Sequence, residues 1–270
     1  MPWAVFRETL RRGWRTMLWW SIGIGLISLL NIVILPDVDA LRETAEIMEA
    51  LPPVIMQAFG GGDLEFMATP EGYLAVQFFS FILVVLAVYP VITGLNVTAN
   101  DEDRGMMDVV MSAPLARWRL VAEKLLAYGL LTAVMITLIF LLTWGGVLIT
   151  PALAGLNIGR MAEATFHLIP ALWLVLAFTA CLGVILRRRG RALGMAAVFV
   201  VGSYSIDFIG SAATGSAAES LRVISFYRYY DGVSVIRDGL NPANVVILLA
   251  LTAVLGAVAV WRFRYREIGV

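Results

Sequence analysis

Apolar positions along this chain gather into six long runs rather than into the alternation of a half-buried strand. They cover Met17 to Leu35, Leu74 to Val97, Leu125 to Ile149, Thr165 to Leu186, Ala192 to Ala212 and Asn244 to Trp261. A helix rises about 1.5 Å per residue and the bilayer hydrocarbon is about 30 Å thick, so each run suffices to cross. The pattern predicts an all-α membrane protein with six transmembrane helices, forming a single transmembrane domain over residues 1–270. Trp19 and Trp20 at the entry of the first run, and the lack of a small-residue cleavage site after it, predict a retained span rather than a signal peptide.

Composition agrees. Sixty per cent of the residues are apolar and 15% charged, with a mean hydropathy of +0.84, too greasy for a soluble domain of 270 residues. The formal net charge of zero says nothing by itself about nucleic acid, but the basic residues are taken up at the membrane flanks, which leaves no basic face for it. Cys181 is the single cysteine, which excludes an internal disulfide and a thiolate metal cluster.

The charges sort by side. Fifteen of the twenty basic residues flank the start of the first run, the connections after runs two and four, and the C-terminus, whereas Pro36 to Gly72 carries eight acids against Arg42 alone. The positive-inside rule then places both termini of a multi-pass protein in the cytoplasm; the protein is expected in the cytoplasmic membrane of a prokaryote.

Between the runs, Trp3 to Trp20 alternates Arg with Trp, Phe and Leu, the pattern of an amphipathic elbow helix in the headgroup layer that turns into span one. It serves as a topogenic anchor or also touches a cytoplasmic partner. Leu41, Ala45, Met48 and Leu51 at helical spacing predict a short outside helix ended by Pro52 and Pro53, then a Gly60-Gly61-Gly62 hinge. That segment caps the bundle or gates a path.

Asp101 to Lys124 is the long polar interruption on the cytoplasmic side. Asp101, Glu102 and Asp103 put acids where the positive-inside rule favours Lys or Arg. Gly105 allows a break, Met106 to Ala113 supplies a two-turn helix with Met106, Met107, Val109, Val110 and Met111 exposed, Pro114 ends it, and Arg117, Arg119 and Lys124 lead back to the bilayer. Exposed apolar side chains outside lipid predict a covering protein partner. The alternative is an interfacial helix that buries them among headgroups.

Asp101, Asp103, Gly105, Pro114, Arg117 and Lys124, with six spans and a basic-acidic tail Phe263 to Gly269, resemble the permease subunits of ABC-2 type ATP-binding-cassette exporters. Met106 and Glu123 depart from the family's usual Thr and Gly. The resemblance implies a coupling helix over Asp103 to Ala113 that docks on a nucleotide-binding subunit, with Asp101, Glu102, Asp103, Gly105, Met107, Val110, Met111, Pro114, Arg117 and Lys124 at the contact. It also implies a homodimer or heterodimer of permease chains, and re-entrant outside helices between spans five and six. No phosphate-binding loop surrounds the single lysine, Lys124, so the chain is expected to be no enzyme by itself and to bind no cofactor, with ATP and Mg carried by the partner ATPase subunit.

The remaining polar positions are few. Glu163 and His167 stand at i and i+4 and read as a bundle-facing or interfacial pair, too few ligands for a metal. Ser205 with His167 raises an intramembrane serine hydrolase, and a stand-alone secondary carrier is a third class, although no inverted repeat supports it. The Arg187 to Arg191 turn is topogenic, binds anionic headgroups or meets the ATPase. Asp207 lies within a span, and Tyr227, Arg228 and Tyr229 lie in an aromatic outside segment, which makes these four the candidate pathway residues. They are equally suited to hydration and interface anchoring.

Overall fold

The computed structural model describes residues 3–34, 66, 69–107, 116–150, 153, 156–186, 188–213 and 217–265. The expected outside helix over Leu41 to Leu51, the Gly60 to Gly62 hinge, residues 108–115 and the tail beyond residue 265 lie outside them. Among the described residues all regular structure is helical.

Six helices are long and apolar enough to cross a membrane: α1 (Ala4–Val33), α2 (Pro70–Leu95), α4 (Arg117–Ile149), α5 (Ile158–Leu186), α6 (Arg189–Ala212) and α10 (Pro242–Arg264). Short helices α3 (Ala99–Asp103), α7 (Ala217–Leu221), α8 (Tyr227–Tyr230) and α9 (Gly232–Asp238) fill the connections, with a 3-10 turn at Arg222–Ile224 after α7. Local chemistry starts two of the spans. Thr69 caps α2 by accepting from Gly72 N at 3.1 Å, Asn241 caps α10 by accepting from Ala243 N at 3.0 Å, and each cap is followed by proline at the first helical position. Within α2, Ala75–Phe79 forms a π-helical turn.

α5 is the central helix, packed by α2, α4, α6 and α10. Its buried side chains, Leu168, Ala171, Leu172 and Val175, leave hardly any surface, whereas α6 and α10 show most of their apolar residues outward, as lipid-facing helices do. Trp173 Nε1 donates to Gly129 O at 3.0 Å and so ties α5 to α4 inside the bundle.

α1 corrects one expectation. It runs unbroken from Ala4 to Val33, so no turn separates an elbow from the span. The segment holds no proline, and Gly13 by itself does not stop a helix. Much of α1 lies along α4. A side chain at Gly146 would stand 2.6 Å from Leu29 Cδ2, and one at Gly25 would strike Leu142, so glycine sets the close approach of the two helices. One end is joined by Phe6 N donating to Glu123 Oε2 at 3.1 Å, the other by Ser28 and Thr143, whose hydroxyls meet at 2.7 Å. Thr143 gives its own hydrogen to Ile139 O, so Ser28 is the donor.

Candidate functional site

Two places concentrate polar chemistry. The first is the bend after α2. α2 ends at Leu95 with its last carbonyls unpaired inside the helix, as at every helix C-terminus. Lys124, about two turns into α4, takes the two carbonyls just past that end: its Nζ donates to Asn96 O at 3.1 Å, to Val97 O at 3.0 Å and to Asp101 Oδ2 at 2.5 Å. A cation at a helix C-terminus agrees with the helix dipole, and Asp101 supplies the counter-charge in a site where both side chains are largely shielded. Asn100 bonds Asn96 across one turn. The chain then reverses at Gly105, whose φ of +65° is a left-handed conformation, and Met106 N closes back on Asp101 O at 2.9 Å.

The second place is the connection between α6 and α10, which folds back into the bundle as a hairpin. Its descending limb follows α6: Arg222 Nε donates to Asp207 Oδ1 at 2.9 Å, Ser225 Oγ donates to Ser203 O at 2.7 Å, and the Phe226 ring stacks on Phe199 with centroids 5.1 Å apart. Ser203 precedes the end of α6 by nine residues, about 14 Å along the axis, and Phe199 by thirteen, about 20 Å. The ascending limb follows α5. Tyr230 faces His167 at 5.6 Å between ring centroids, Gly232 packs on Phe79 of α2, and Leu240 N donates to Glu163 Oε2 at 3.2 Å. Asp231 caps α9 by accepting from Ser234 N at 3.2 Å and Ser234 Oγ at 2.7 Å. The resemblance implies outside helices between spans five and six, and the described residues hold three short ones with a 3-10 turn, packed along α6 and α5.

The family model of the multidrug efflux system permease Rv1217c, C-terminal domain, matches residues 8–264 of this chain. The chain belongs to this family of efflux-permease domains. No curated protein matches it.

Within this permease domain, the structure gathers Asp101 and Lys124 in one contact and leaves Asp103 exposed beside them. Met106 is exposed but Met107 is 3% exposed, packed in the chain's own core rather than presented outward. Arg117 is exposed at the first turn of α4. Val110, Met111 and Pro114 lie outside the described residues, as does most of the expected coupling helix. Asp207 is no isolated acid: it is paired with Arg222, which the sequence did not single out. Tyr227 is buried, Arg228 is exposed, and Tyr229 lends its hydroxyl to Val223 O at 3.0 Å.

Two expectations fail on geometry. Glu163 and His167 make no pair, because the carboxylate turns to Arg160 Nη1 at 3.0 Å and Leu240 N while the imidazole is buried beside Tyr230. Ser205 sits on the exposed face of α6, and neither ring nitrogen of His167 has a hydrogen-bond partner among the described residues, so no base reaches that serine. Among the described residues no three His, Cys, Asp or Glu side chains come together as metal ligands.

Sequence reasoning missed Arg222, Ser225 and Phe226 as the residues that seat the hairpin. The aromatic density around Phe226 was visible. Its partners on α6, more than twenty positions earlier, carry no periodic signal that points to it.

Proposed function

We propose that this permease domain is the membrane-spanning subunit of an ATP-driven exporter of the ABC-2 type, and that it moves apolar or amphipathic compounds. The observation that carries the reading is Lys124 holding the bend after α2, since it fixes α3 and the reversal at Gly105 to the two spans they join. A displacement applied to that bend therefore passes into α2 and α4 rather than being lost in a slack loop. The basic residues at this end support a cytoplasmic side for it by the positive-inside rule.

A separate nucleotide-binding subunit holds ATP and Mg and docks on the bend, with the exposed Asp103 and Arg117 at the contact. This chain performs no hydrolysis itself. Two permease chains, identical or related, enclose the path, and closure of two ATPase subunits switches it from inward-facing to outward-facing. The match to a multidrug efflux permease favours an apolar cargo, and the lipid-exposed α6 and α10 offer faces for the second chain.

The test is co-purification from the native membrane followed by ATPase assay. An ATPase subunit should be retained by the wild type and lost with Asp103→Lys, an exposed change that leaves the Lys124 contact intact. Retention of the same subunit by Asp103→Lys, or its absence from the wild type, overturns the coupling role.

A further inference from the structure

The first half of α1 carries charge that the bundle does not use. Between Ala4 and Trp19 stand four arginines, Arg7, Arg11, Arg12 and Arg15, against one acid, Glu8, and all four are exposed. Glu8 takes up two of them, accepting from Arg11 Nε at 2.9 Å and from Arg12 Nε at 2.6 Å. Arg15 makes no ion pair among the described residues, and its guanidinium lies over the Trp14 ring, 5.6 Å from the centroid.

The outward side of the same helix changes character within one turn. Arg11 and Arg15 stand at i and i+4, and Ile22 and Leu26 continue that face seven and eleven residues beyond Arg15. Up to Trp19 the large side chains turned outward are arginines and tryptophans; from there to Leu30 they are Ile22, Leu26, Ile27 and Leu30. An aliphatic face matches hydrocarbon, and tryptophan marks the layer where hydrocarbon gives way to headgroups. Because α1 runs unbroken through Trp19, each arginine has a fixed height over that layer. Arg15 stands about 6 Å beyond Trp19 along the axis, inside a headgroup layer of about 5–8 Å, and Arg11 one turn further out. α1 packs mainly on α4, which leaves this face to whatever surrounds the domain.

Chemistry selects the occupant. A guanidinium offers a fork of N–H donors that fits a phosphate, and stacking on an indole holds its plane while leaving those edges free. Every basic residue of this half-helix is Arg, although Lys satisfies the positive-inside rule equally well. A zwitterionic lipid brings its own cation to such a face, whereas an anionic one does not.

We propose that the Arg11, Trp14 and Arg15 face of α1 binds the phosphate of an anionic phospholipid, whose acyl chains follow the aliphatic face from Ile22 to Leu30. The binding requires no ATPase and stands apart from the exporter reading.

The probes are dioleoyl phosphatidylglycerol and dioleoyl phosphatidylcholine, which share their chains and differ in headgroup charge. The full chain, delipidated in a neutral detergent, is titrated with each, and bound lipid is counted by native mass spectrometry. Phosphatidylglycerol should bind at least about fivefold more tightly, the worth of one arginine at an anionic surface. Arg15→Gln should lower that preference about fivefold and Trp14→Leu about two- to fivefold, whereas Arg189→Gln, the same loss of charge at the turn before α6, should leave it in place. Both α1 variants change exposed side chains, and an unchanged unfolding midpoint in the lipid-free detergent checks their fold. Equal affinity of the wild type for the two lipids, or a preference that survives both Arg15→Gln and Trp14→Leu, overturns the proposal, as does a preference lost with Arg189→Gln alone. If Arg15→Gln keeps the lipid preference and instead releases a co-purifying ATPase subunit, the face belongs to a protein partner and the proposal fails while the exporter reading stands.

Discussion

Lys124 donates to Asp101 at 2.5 Å while also donating to the carbonyls of Asn96 and Val97, so a single ammonium closes the end of α2 and anchors α3. Removing it strands two carbonyls and a carboxylate in a shielded site. Lys124→Met should cost about 1–3 kcal/mol. Thermal unfolding in detergent should show a lower midpoint. Asp101→Lys combined with Lys124→Asp should recover only part of the loss, because Asp cannot donate to the carbonyls; full recovery would mean that the ion pair alone matters.

Gly105 makes its turn at φ +65°, with open space around the position where a Cβ would stand. The penalty for a side chain there comes from the backbone alone. Gly105→Val should destabilise by about 1–2 kcal/mol, and Gly105→Asn, which visits this conformation readily, by less. Equal midpoints for the two variants would show that the turn is not retained.

Gly94 is tight for a different reason. A Cβ there would stand 2.7 Å from Thr179 Cβ and 3.1 Å from Leu176 O, so α2 and α5 touch at this point. Gly94→Leu should force the helices apart and reduce the yield of folded protein, at about 1–3 kcal/mol or more. Gly145→Leu on α4, where a Cβ would meet nothing within 4 Å, is the control. Size-exclusion profiles of the two variants check the contrast.

Arg222 and Asp207 hold the descending limb of the hairpin, both about three-quarters shielded. Arg222→Met should loosen residues 217–238 by about 1 kcal/mol, seen as about fivefold faster amide exchange in that segment and little change in α5. Asp207→Asn should act in the same way, and the double variant should fall short of the sum because both remove one interaction. Unchanged exchange in Arg222→Met would assign the seating of the hairpin to Ser225 and Phe226 alone.

The six spans were legible because a run of twenty apolar residues has few alternatives in a chain with 15% charge. The Asp101, Gly105 and Lys124 pattern was legible as a motif, but its inward use was not. Nothing in the spacing says that Lys124 turns to backbone carbonyls 27 and 28 positions away, or that Met107 packs inward while Met106 does not. Asp207 was noticed because acids are rare in spans, whereas Arg222 read as one more outside charge; their pairing depends on how far the hairpin folds back, which is a tertiary fact. The expected elbow failed because the alternation of Arg with Trp describes where a helix meets headgroups and says nothing about whether it bends there.

α1 and α4, joined near both ends and interlocked at Gly25 and Gly146, amount to a single double-width strut about 45–50 Å long. Such a strut resists bending and sliding. A displacement that reached α4 through the Lys124 bend would therefore be carried by α1 and α4 together rather than by α4 alone.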